Sequence, residues 1–95
     1  MTKFSARLGI WNSTKRLRIV WVEPWAEDYT LLPEEKLEIA VVDDLVQPWF
    51  CVVEWENSSQ VYIQTMSSEY EVTQDGKRLQ CGHNRDAGLT SGLKY

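Results

Sequence analysis

The sequence predicts an all-β domain, a mainly antiparallel sandwich or small barrel of seven or eight short strands. Three observations predict it. Apolar and polar residues alternate with a period of two in segment after segment. Branched and aromatic residues, which suit a pleated sheet, concentrate in those segments, and turn-forming clusters separate them. The third is an Asp75-Gly76 pair between two alternating runs, the preferred two-residue hairpin loop because both positions need a positive φ.

The elements follow in order. Ser5 to Trp11 supplies a first strand, and Asn12-Ser13-Thr14 turns the chain into a second, Leu17 to Val22. In that strand Leu17, Ile19 and Trp21 share one face, and Val20 and Val22 lie on the other. Pro24 ends it, since proline cannot donate to a ladder. Tyr29 to Leu32 is short and stops at Pro33, and Pro33 to Lys36 is turn-like. Leu37 to Val42 alternates with Leu37, Ile39 and Val41 inward, its branched residues arguing against the helix that Glu34 to Val42 could otherwise form. Asp43-Asp44 opens a connection that closes at Pro48.

Trp49 to Trp55 is apolar on both faces at its start, which predicts a central strand covered on two sides there. Asn57-Ser58-Ser59 turns into a run in which Val61, Ile63 and Thr65 alternate with Tyr62, Gln64 and Met66; Ser67-Ser68 breaks it. The hairpin from Tyr70 to Cys81 completes the set. Residues 1–81 thus form a single β domain, and residues 82–95, glycine-rich and without period, read as an extended or mobile tail.

At 95 residues there is room for one domain only, and a chain this short buries only about 60–65% of its unfolded surface. Five Trp, four Tyr and two Phe therefore supply much of the core. Trp21 and Trp55, flanked by aliphatic residues on strand faces, are expected inside. No stretch approaches the roughly 20 apolar residues of a membrane span, and Met1 to Ile10 lacks the apolar segment of a signal peptide. The expected compartment is the cytoplasm, where Cys51 and Cys81 would be free thiols.

Charge is segregated. Residues 1–18 carry five cations and no acid, residues 19–76 carry thirteen acids and one cation (Lys36), and residues 77–95 carry a net +3. Either the basic ends fold against the acidic middle and relieve its self-repulsion, or part of that middle stays exposed to a cationic partner. Nucleic acid is disfavoured, because phosphates repel an acidic surface.

Catalytic and metal signals are thin. Cys51, Cys81 and His83 are the only thiol or imidazole donors, so zinc at Cys81 and His83 would need a carboxylate or a second subunit. A blue-copper centre needs two His and one Cys, and this chain has one His. A Ser–His–Asp arrangement would have to use His83 in the tail. Glu54 with Glu56, and Glu69 with Glu71, stand ~7 Å apart on strand faces, the pattern of any solvated sheet. Glu27-Asp28 and Asp43-Asp44 match no EF-hand spacing. Asn12-Ser13-Thr14 fits the glycosylation acceptor pattern but reads more simply as a turn. No cofactor and no catalytic role are expected.

The aromatic residues carry the functional expectation. Trp25 and Trp49 each follow a proline at a strand end, with Tyr29 near the first and Glu27, Asp28, Asp43 and Asp44 close by. These seven residues predict an acidic, aromatic rim for a protein partner with basic groups around an apolar contact. The same rings could instead stack on carbohydrate, and a metal-binding protein or metalloenzyme at Cys81 and His83 is the third possibility. Self-association through an edge strand is a further route.

The segment Trp21 to Leu31, with Pro33-Glu34-Glu35 and Cys81-Gly82-His83-Asn84, resembles a group of small uncharacterised bacterial β-domain proteins. In those proteins Gly often stands at the positions of Ala26 or Glu34. The resemblance, over residues 16–84, implies a compact β domain and brings no activity, cofactor or catalytic residue. The strand–Pro–strand opening is also similar to cupredoxin-like sandwiches, without their copper site.

Overall fold

The computed structural model describes residues 2–90, with side chains through residue 87. It contains eight strands: β1 (Phe4–Trp11), β2 (Arg18–Glu23), β3 (Glu27–Leu31), β4 (Lys36–Asp44), β5 (Trp49–Glu54), β6 (Ser58–Gln64), β7 (Glu71–Gln74) and β8 (Lys77–Arg78). A short helix, α1 (Arg85–Thr90), follows. The strands form two four-stranded sheets, ordered β1-β4-β7-β8 and β3-β2-β6-β5. All strand ladders are antiparallel except β2–β6, which is parallel with Val22 beside Val61. The predicted all-β, mainly antiparallel fold is the observed one.

The core lies between the sheets. Leu37, Ile39, Val41 and Val72 enter from one side; Val20, Val22, Tyr29, Leu31, Val61 and Ile63 enter from the other. The inward trio Leu37, Ile39 and Val41 is as the alternation predicts, and no turn of helix forms there. In β2 it is Val20 and Val22 that face the core. The Asp75-Gly76 loop joins β7 to β8 with both φ angles positive, +51° and +79°.

Several expectations are corrected. β4 runs on through Asp43-Asp44, because Phe4 pairs with Asp44 across a register shift and prolongs the ladder. β5 is not central. It is an edge strand, so its outer face stays open with Trp49 and Cys51 exposed, and Val52, on the face of Phe50, is exposed at the border. Trp55, expected inside, is 57% exposed just beyond that edge and donates from Nε1 to Gln60 Oε1 at 2.8 Å. Trp21 is partly buried.

Where it is described, the tail runs beside β3 and then turns into α1. Thr30 N–H donates to the His83 carbonyl at 2.8 Å and Gly82 N–H to the Asp28 carbonyl at 2.7 Å, which makes a bridge between Tyr29 and His83 along the β3 edge. That covers an edge that would otherwise present unpaired backbone groups. The last part of the expected tail, residues 91–95, lies outside the described residues.

The charge segregation is answered by folding. Arg7 pairs with Glu38, Arg18 with Glu54 and Arg85 with Asp28, so each of these ion pairs joins a basic end to the acidic middle. Ala26 and Glu34 both have a left-handed backbone, at φ 56° and 70°, a conformation glycine adopts without steric cost. No helix among the described residues is long and apolar enough to cross a membrane.

Candidate functional site

One end of the sandwich presents large apolar side chains on two loops. The first loop, residues 45–48, leaves β4; the second, residues 65–70, leaves β6. Asp44 binds them together. Its carboxylate is buried, and Oδ1 accepts the amides of Leu45 at 2.7 Å and Val46 at 3.4 Å. Oδ2 accepts the Met66 amide at 3.1 Å and the Thr65 hydroxyl. Charge-assisted bonds of this kind are stronger than neutral ones. The Thr65 hydroxyl foremost, then the Met66, Val46 and Leu45 amides, hold the Asp44 carboxyl below the usual carboxylate range against the opposing effect of burial.

Other bonds finish each loop. Gln47 Nε2 donates to the Ser5 carbonyl at 3.2 Å, Ser67 N–H to Thr65 Oγ1 at 2.9 Å, and Glu69 N–H to Ser67 Oγ at 3.0 Å. With the backbone so tied, apolar side chains point outward: Leu45 is 56% exposed, Val46 46% and Met66 69%. Trp49, 57% exposed, begins β5 directly after the first loop and pairs with Gln64 directly before the second. Scattered surface apolar residues are ordinary; a cluster on loops with a fixed backbone is a candidate contact surface.

The seven residues expected at a binding rim separate into two groups. Trp49 and Asp43 are exposed at this end. Asp44 is there too, but buried, because four donors replace water around its carboxylate. Trp25, Glu27, Asp28 and Tyr29 belong to a separate, largely internal cluster. Trp25 is half-buried against the core, its ring centroid 4.6 Å from that of Tyr70 at an interplanar angle of 46°. The Tyr70 hydroxyl donates to Glu27 and lies 3.0 Å from the Tyr29 hydroxyl. Burial raises both phenols above the ordinary tyrosine value; the bonds to Glu27 and Tyr29 raise Tyr70 further. Both stay neutral, which suits a structural tie.

Tyr29 is therefore a core residue. Asp28 is buried as well, gripped by Arg85 through Nη2–Oδ1 at 2.5 Å and Nε–Oδ2 at 3.3 Å. This contact raises the guanidinium's pKa. The expectation of an exposed rim fails at Asp28, Tyr29 and Asp44 for one reason: a carboxylate or phenol with enough donors and partners no longer needs water. Trp25→Ala is accordingly expected to cost about 2–4 kcal/mol, as large core-packed aromatics do, and Trp55→Ala less than about 1 kcal/mol. Urea unfolding of the two variants distinguishes these outcomes.

Cys51 and Cys81 are free and exposed. Cys81 Sγ lies 3.7 Å from Asp28 Oδ1, and His83 Nε2 is buried with no hydrogen-bond partner among the described residues. Among those residues no group of three or more His, Cys, Asp or Glu side chains stands in an arrangement that could hold a metal ion.

Leu45, Val46 and Met66 are missing from the sequence-derived site, although a signal existed. Leu45-Val46 is an apolar pair inside a predicted connection between Asp43-Asp44 and Gln47-Pro48, and Met66 adjoins a strand breaker. Apolar residues placed in turns cannot all be core. No protein-family model matches the chain, and no curated protein or solved structure matches it significantly.

Proposed function

We propose that this protein is a non-catalytic interaction module that docks a protein partner through the apolar end formed by Leu45, Val46, Trp49 and Met66. The observation that carries this reading is the buried Asp44 carboxylate, which ties both loops and leaves their apolar side chains outside. A preformed surface loses little conformational entropy on binding. Asp43, at the end of β4, and Glu69, on the second loop, are exposed and without an ion pair among the described residues, which favours a partner with basic groups around an apolar centre. The same acids disfavour the anionic face of a membrane.

The test is affinity capture from lysate with three baits: the parent, a Leu45→Ser/Met66→Ser variant, and Trp11→Ala, which alters the opposite end of the domain. The expected result is a protein retained by the parent and Trp11→Ala, reduced at least tenfold with the double variant, and weakened by salt. Melting curves of all three baits should nearly coincide. Equal retention by the double variant, or no partner at low salt, would overturn the reading.

A further inference from the structure

A concavity of about 690 Å³ lies away from the apolar end, on the outer face of the sheet β1-β4-β7-β8. That volume falls among small-ligand sites, roughly 300–1,000 Å³. Gly9, Glu38 and Thr73 stand side by side across β1, β4 and β7 and form its floor. The Trp11 indole, 55% exposed, closes one end with Lys36 Nζ 5.6 Å from its centroid. Arg7 lies beyond Gly9, and the β7–β8 loop with Asp75 forms a side wall.

We propose that this groove binds a neutral saccharide, with a pyranose ring laid on the Trp11 face. Four features support it. The lining is charge-balanced, Arg7 and Lys36 against Glu38 and Asp75, so it favours no net charge in a ligand. It combines the half-exposed Trp11 indole, which carries Lys36 Nζ over one face and can offer the other to the C–H face of a sugar, with many donors and acceptors suited to hydroxyls. The Arg7–Glu38 pair, 2.8 Å apart, uses one N–H and one oxygen and leaves the rest of both groups unpartnered among the described residues.

The fourth feature is Gly9. Glycine weakens the middle of a strand, and there it often marks a place where something approaches the backbone closely. A Cβ added at Gly9 would meet nothing within 4 Å, so packing within the chain does not require glycine. What glycine keeps clear is the groove floor.

Titration of Trp fluorescence and calorimetry with neutral hexasaccharides of glucose, xylose and mannose, with an anionic uronic-acid oligomer alongside, tests the site. Saturable binding of a neutral oligomer is expected, reduced at least tenfold by Trp11→Ala. Gly9→Val should abolish binding while holding or raising the melting temperature, since a β-branched residue suits an unobstructed strand position. Leu45→Ser/Met66→Ser should leave saccharide binding unchanged, which separates this site from the protein-docking end. No response to any neutral oligomer, preference for the anionic one, or binding that survives both groove substitutions would overturn the proposal.

Discussion

Asn12→Ala will lower the stability of the fold by about 3 kcal/mol, the cost of leaving several buried polar groups without partners. The side chain is completely buried at the end of the sandwich opposite the apolar loops. Nδ2 donates to the Arg16 carbonyl at 2.8 Å and the Leu31 carbonyl at 3.0 Å, and Oδ1 accepts the Thr14 amide at 3.1 Å and hydroxyl at 2.6 Å. Its backbone also bonds Glu34 and Glu35, donating to one carbonyl and accepting one amide. One residue therefore ties the β1–β2 and β3–β4 connections together. In a domain of this size the loss corresponds to a melting temperature lower by roughly 12–24 °C, read by calorimetry. Asn12→Asp should be worse at neutral pH, because a carboxylate oxygen would face two carbonyls, and should recover partly on acidification. The acceptor pattern Asn12-Ser13-Thr14 is a turn in the structure, with its amide nitrogen already committed twice.

Asp44→Ala will release both apolar loops, and binding at that end will fall with it. Hydrogen exchange at the amides of Leu45, Val46 and Met66 should accelerate by at least tenfold while the amides of Ile39 and Val61 keep their protection. Asp44→Asn should show an intermediate effect, since Oδ1 still accepts from Leu45 but an amide NH₂ faces the Met66 donor. The pH dependence has a definite sign. A carboxyl held below its unfolded value, ordinarily near 3.9, binds fewer protons in the native state than in the unfolded one. Its stabilisation is therefore complete above about pH 5 and fades as pH falls through the native value. Melting curves of the parent and Asp44→Asn, compared from pH 7 to pH 3, should converge at the acid end. A constant difference across that range would show that Asp44 does not hold the loops as a carboxylate.

Legibility differed by residue type. Leu37, Ile39 and Val41 could be placed inward because alternation has a single period and one apolar face. The Asp75-Gly76 hairpin was legible because it needs a left-handed backbone at two adjacent positions. Trp49 was open to two readings, a rim residue or one covered in a central strand, and Asp28, Tyr29 and Asp44 were not legible as interior groups. Their burial depends on Arg85, Tyr70 and the Met66 amide, 57, 41 and 22 residues away. The Trp11 groove was invisible for the same reason. Its parts come from three strands whose adjacency no local pattern records.

Period-two alternation by itself determined that this chain would be β, where most strands would lie and which residues would share a face. It could not determine strand neighbours or which strand would stand at an edge. Those depend on pairing between distant segments, such as β2 beside β6 in parallel and β5 left at the border. The tertiary structure alone decided that the face of Trp49 and Trp55 would meet water, that Asp44 would be enclosed by donors, and that Gly9 would open a groove. Each is a matter of what lies across space from a residue, and a side chain's surroundings decide whether its charge or its ring is satisfied inside or left to meet a partner.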